Sequence, residues 1–131
     1  MKRPLLVIIL FAAVLFSSCG KKISETGTIE VKNGEGDLVE LPYRVVPAEA
    51  IDFLSKQYTY KQFDSIVSEV STKSKLACNV SLSYKPKELS ILQKNDTSTF
   101  MLTFYAKNSY GVEDSEILMY DIIKGEPMHQ Y

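Results

Sequence analysis

Apolar residues recur along this chain in three patterns, and each predicts a different kind of segment. Leu5 to Phe16 is unbroken. Phe63, Ile66, Val67 and Val70 recur at helical spacing, as one stripe that faces a core, while Asp64, Ser65, Ser68 and Ser71 fall on other faces. Val80, Leu82 and Tyr84 alternate with Ser81 and Ser83, the period of a strand with one buried side.

Punctuation between these stretches orders the rest. Thr28–Lys32 alternates, Asn33-Gly34-Glu35-Gly36 supplies turn residues, and Asp37 to Val46 returns, so a hairpin is predicted. Pro42 confines its second strand to an edge or a bulge, and Pro47 suits the first turn of a helix. Ala48, Ile51 and Leu54 keep helical spacing, and Thr59 with Gln62 forms a capping-box pattern, which predicts two helices broken near Thr59 or one kinked helix. Strands are then expected from Cys78 to Tyr84, over Glu88–Gln93, over Thr99–Lys107 and over Val112–Ile123. Lys85-Pro86-Lys87 interrupts the first, and Asn95-Asp96 and Asn108-Ser109-Tyr110-Gly111 turn the chain, Gly111 by taking a positive φ. Lys124-Gly125-Glu126-Pro127 ends the last strand. The fold class is α+β: an N-terminal β-hairpin, one or two helices, then a three- or four-stranded antiparallel meander packed on the helix, in a single domain over 27–131. This order resembles small cystatin-like sheets, and the hairpin Ala106-Lys107-Asn108-Ser109-Tyr110-Gly111 resembles turns in other small bacterial envelope proteins.

The unbroken run changes the picture of the first residues. Lys2 and Arg3 precede it, it is 12 residues long, and the small Ser17 and Ser18 follow, as in a secretory signal. A helix needs about 20 apolar residues to span a bilayer, so the run is too short for a permanent anchor. Leu15-Phe16-Ser17-Ser18-Cys19-Gly20 resembles the bacterial lipobox, with Phe16 where that family usually has Leu; looser lipoboxes of this kind are similar to those of Bacteroidota. The resemblance implies cleavage between Ser18 and Cys19, lipidation of the Cys19 thiol, and residence in the cell envelope. Gly20, in the place where Asp often signals retention at the inner membrane, favours an outer-membrane site facing the periplasm. Residues 1–18 are then a signal peptide, 19–26 a lipidated N-terminus and tether, and the membrane itself is a partner through Cys19. Acyl chains contribute about 0.8 kcal/mol per buried methylene, so two or three hold a protein to a bilayer.

Charge and composition exclude more than they suggest. The chain has 131 residues, with 15 basic side chains, two of which leave with the leader, against 16 acidic. No clustered basic stripe marks a nucleic-acid binder. A lipidated Cys19 leaves Cys78 as the single thiol, with no nearby His or Lys in sequence to activate it, and the expectation is a buried structural cysteine. His129, the one histidine, reads as part of a frayed tail beyond the last strand. One His and one thiol assemble no metal site, Glu113, Asp114 and Glu116 lack the spacing of a calcium loop, and no phosphate loop, serine elbow or dinucleotide fingerprint is present. No catalytic residue, metal or cofactor is therefore expected.

Eight tyrosines and no tryptophan are the one suggestive bias. Tyrosine joins a broad apolar ring to a polar tip and is useful on binding surfaces. Tyr105, Tyr110 and Tyr120 in or near the last hairpin are the candidate binding surface, although packing in the core and sheet accounts for tyrosines as readily. The expected function is a membrane-anchored, non-enzymatic protein that binds another envelope protein. The alternatives are a small-ligand or glycan-binding module, with its site between helix and sheet, and a hydrolase of unfamiliar design.

Overall fold

In a computed structural model, residues 21–130 are described, so the leader and Cys19 lie outside the described residues. The fold is α+β. A hairpin comes first, β1 (Thr26–Lys32) with β2 (Leu38–Val46), and a short 3-10 turn then leads into α1 (Ile51–Gln57) and the longer α2 (Tyr60–Ala77). Four strands follow, β3 (Lys85–Lys94), β4 (Thr97–Lys107), β5 (Glu113–Ile123) and β6 (Glu126–His129). All six strands form one sheet in sequence order, antiparallel except where β2 and β3 run parallel across the helical crossover. The hairpin is thus the first third of a continuous sheet, not a separate unit before a meander.

The helix break falls where the sequence places it. Thr59 Oγ1 accepts from Gln62 N at 3.1 Å and Gln62 Oε1 accepts from Thr59 N at 2.8 Å, satisfying two backbone donors at the start of α2. Phe63, Ile66, Val67 and Val70 are buried against one side of the sheet, where they meet Ile29, Leu41, Tyr43, Leu89, Ile91, Phe100 and Leu102. Pro42 lies on a local edge, because β3 pairs with β2 only from Tyr43 onward.

Three expectations are corrected. The alternation of Val80, Leu82 and Tyr84 is not a strand: α2 runs on to Ala77, Cys78 caps it, and Ser81–Ser83 is a 3-10 turn that leaves Leu82 exposed while Tyr84 enters the core. The strand begins instead at Lys85 and passes through Pro86, the pairing with β4 shifting at a bulge between Pro86 and Glu88 that accommodates the missing N–H. The chain does not end its sheet at Lys124, since a turn there adds β6, with His129 opposite Tyr120. Finally, the tether is shorter than 19–26, because Ile23 is only 6% exposed and belongs to the core, and Ser24 N donates to Tyr43 Oη.

Antiparallel order sends the loops to two opposite ends. Ile23, the start of α2 and the turns after β3 and β5 lie at one end. The β1–β2 turn, the 3-10 turn Ser81–Ser83 and the β4–β5 hairpin lie at the other.

Candidate functional site

The three candidate tyrosines do not converge. Phe104 turns into the core and Tyr105 points to the uncovered face of the sheet, where the Lys87 ammonium sits 5.1 Å from its ring centroid. A hydrogen bond to the Tyr105 hydroxyl and the charge of that group push the Lys87 ammonium up. Tyr110 stands at the hairpin tip, 90% exposed, beyond Gly111 with its φ of +80°. Tyr120 is on the opposite side of the sheet, 2% exposed, with its hydroxyl 3.0 Å from Ser74 Oγ under α2. It is therefore a core residue and drops out of the binding surface, because strand alternation puts it on the face that α2 covers.

Beneath α2 the polar groups are paired with one another. Ser71, expected on a wet face of the helix, is buried with its Oγ 2.8 Å from Tyr84 Oη; Ser74 also donates to Val70 O at 2.9 Å. Desolvation pushes both the Tyr84 and Tyr120 hydroxyls up, and the serine hydrogen bonds oppose that rise. The Cys78 thiol lies 3.2 Å from Ser74 O, and burial, helped by the Glu116 carboxylate, holds it above the usual thiol range. A thiol so placed stays protonated, which suits a packing role and not a nucleophile's. Among the described residues every buried side-chain nitrogen and oxygen has a partner. Such a closed set is the signature of a packed core.

Other candidates disperse in the same way. His129, exposed on β6, holds its ring tilted 5.5 Å from the ring of Tyr120 on β5 and is not a frayed tail. Glu113 is on the uncovered face, 3.4 Å from Lys85, whereas Asp114 and Glu116 alternate to the other side or its rim. Among the described residues no three His, Cys, Asp or Glu side chains gather to hold a metal ion. Between helix and sheet, the rings of Tyr43, Phe63 and Phe100 pack at 5.2 and 6.0 Å and fill the layer beneath the start of α2, whereas its far end leaves a hollow of about 240 Å3 between Lys73 and Ala77 of α2 and Leu118, Met128 and His129 of the sheet.

The uncovered face of the sheet is wet and mixed. Arg44 Nε donates to Ser90 Oγ, and Asp121 accepts from Thr99 and Gln130, in rows that interleave with half-buried Leu92, Met101 and Met119.

A different place collects apolar surface. At the end remote from Ile23, Leu82 is 72% exposed, Val80 beside it is exposed, and the β4–β5 hairpin at the same end exposes Tyr110 and Val112; Leu76, at the end of α2, is 73% exposed. Loops there are stitched to one another: Gly34 N donates to Tyr84 O at 2.7 Å, Lys107 N to Ser83 Oγ at 2.8 Å, and Asn108 N to Val112 O at 2.8 Å. Val80, Leu82, Lys85, Lys107, Glu113 and Glu35 border a shallow hollow of about 300 Å3. The result is a loop crest that exposes aliphatic and aromatic side chains, with charged residues bordering the Val80–Leu82 hollow and hydrogen bonds linking the loops. Sequence reasoning missed Leu82 and Val80, because alternation assigned them to a buried strand face. Comparison with family models, curated proteins and solved structures returns no match.

Proposed function

We propose that this chain is a lipid-anchored bacterial envelope protein that binds another envelope protein through the loop crest formed by Val80, Leu82, Tyr110 and Val112. The observation that carries the binding half of this reading is the crest itself. Exposed apolar residues scattered singly need no explanation, but several gathered on stitched loops mark a contact surface, and a charged rim is the usual border of one. Tyr110 adds the residue type that most often anchors such contacts. Anchoring rests on the leader and lipobox pattern that ends at Cys19. Acyl chains hold the protein in the envelope, at the outer membrane facing the periplasm, and a binding module fixed there finds its partner in two dimensions.

The test is crosslinking in cells followed by capture of the tagged full chain. One dominant envelope partner is expected with the wild type, reduced severalfold in the Leu82→Ser/Val112→Ser variant at equal protein level. Capture that is unchanged in that variant removes the crest from the function. Turnover in an activity screen that survives both His129→Ala and Cys78→Ala overturns the non-enzymatic reading.

A further inference from the structure

Only three residues separate Cys19 from Ile23, and Ile23 is already part of the core. Four Cα steps reach at most about 14 Å even when fully extended. A lipid on Cys19 therefore draws one particular end of the domain onto the bilayer: the end that carries Ile23 and the start of α2. That end has an open depression of about 810 Å3, walled by Lys21, Lys22, Tyr58, Tyr60, Lys61 and Asp64. The Lys21 ammonium lies 5.7 Å from the Tyr60 ring centroid, which turns one lysine of the linker toward the wall of the domain.

Charge in this depression is locally positive, three lysines against Asp64, with Glu25 two residues beyond Ile23. The two sheet turns at the same end each carry a lysine and an acid, Lys94 with Asp96 and Lys124 with Glu126, and the 3-10 turn with α1 adds Glu49 and Asp52 against Lys56, so the positive charge is confined to the depression itself and the end as a whole is balanced. A bilayer surface offers the matching chemistry: headgroup phosphates within reach of ammonium groups, at the depth where an amphipathic tyrosine ring sits well. We infer that, in the lipid-anchored protein, the Lys21–Lys22–Lys61 depression rests on phosphate headgroups and stands the sheet on end, with the Leu82–Tyr110 crest facing away from the membrane. This rests on the lipidation of Cys19 in the proposed function. Ten strand steps along β4, from Thr97 to Lys107, then hold the crest about 33 Å farther out.

The experiment uses the full chain, purified from membranes and reconstituted into phosphatidylethanolamine vesicles with or without phosphatidylglycerol. A fluorophore is placed at Ser55→Cys, in the wall of the depression, or at Ser109→Cys, in the hairpin tip, Cys78 being buried. Quenching by a headgroup-linked quencher is expected to be severalfold stronger at position 55 than at 109. Phosphatidylglycerol should increase it at 55, and Lys21→Gln/Lys22→Gln/Lys61→Gln should abolish that increase while the Arg triple variant retains it. Equal quenching at the two positions on a lipidated chain overturns the orientation alone. An increase that persists in the Gln variant overturns the role of the lysines. A mass for the purified chain that shows no lipid at Cys19 overturns the anchored reading and this inference together.

Discussion

Ser71 and Tyr84 form the contact on which a single residue has most leverage. Both groups are buried and each is the other's partner at 2.8 Å. Ser71→Ala strands the Tyr84 hydroxyl in the core, and leaving a buried donor unsatisfied costs about 1–3 kcal/mol. The double variant Ser71→Ala/Tyr84→Phe removes both partners and should recover most of that loss, which urea denaturation of the four members of the cycle will show. A pH dependence follows from the same groups. Burial raises Tyr84 and Tyr120 above their unfolded value, so the fold favours their protonated forms. Their contribution is fully present below the unfolded value of about 10 and is lost as pH rises through and beyond it. The thermal midpoint should therefore fall steeply above that pH, and less steeply in the double variant. Apolar residue type makes Phe63 and Val70 legible as core, whereas polarity alone puts Ser71 on another face. Ser71 in fact continues the stripe, four residues after Val67 and eight after Phe63, and Tyr84, 13 residues on, offers its buried hydroxyl a partner.

Elements were legible where local chemistry ends them. The capping box at Thr59 separates α1 from α2 with backbone donors that lie within four residues, and Thr59→Ala should cost about 1 kcal/mol in stability. The strand expected from Cys78 to Tyr84 failed for a related reason. Leu76 to Tyr84 suits a helix end, a turn or a strand equally well by pattern, and long-range contacts made the choice. Gly34 is one of them: a Cβ there would collide with the backbone of Ser81 and Leu82, so the β1–β2 turn fits against the 3-10 turn only without a side chain. Gly34→Ala should therefore lower stability by about 2 kcal/mol and perturb the amide signals of Ser81–Tyr84, whereas Gly27→Ala would press on the buried Tyr43 ring and not on backbone. Nothing near Gly34 in sequence reveals that neighbour, 47 residues away.

At the scale of the whole molecule, the sheet separates two ends of different composition. One carries the residues that follow Cys19; the other carries the crest. Tyr110→Ala, at a 90% exposed position, should change the free energy of unfolding by no more than about 0.5 kcal/mol while weakening partner capture. The sequence by itself determined the α+β class, the helix stripe, the break at Thr59 and the pattern that points to an exported, lipidated chain, since each depends on residues within a few positions of one another. Only the tertiary structure decided that β2 and β3 run parallel in one six-stranded sheet, that Tyr120 lies under α2 while Tyr110 stands free, and that Leu82 and Val112 share one end of the sheet. Alternation assigns faces but not neighbours, and neighbours are chosen by packing across stretches of chain that no local pattern spans.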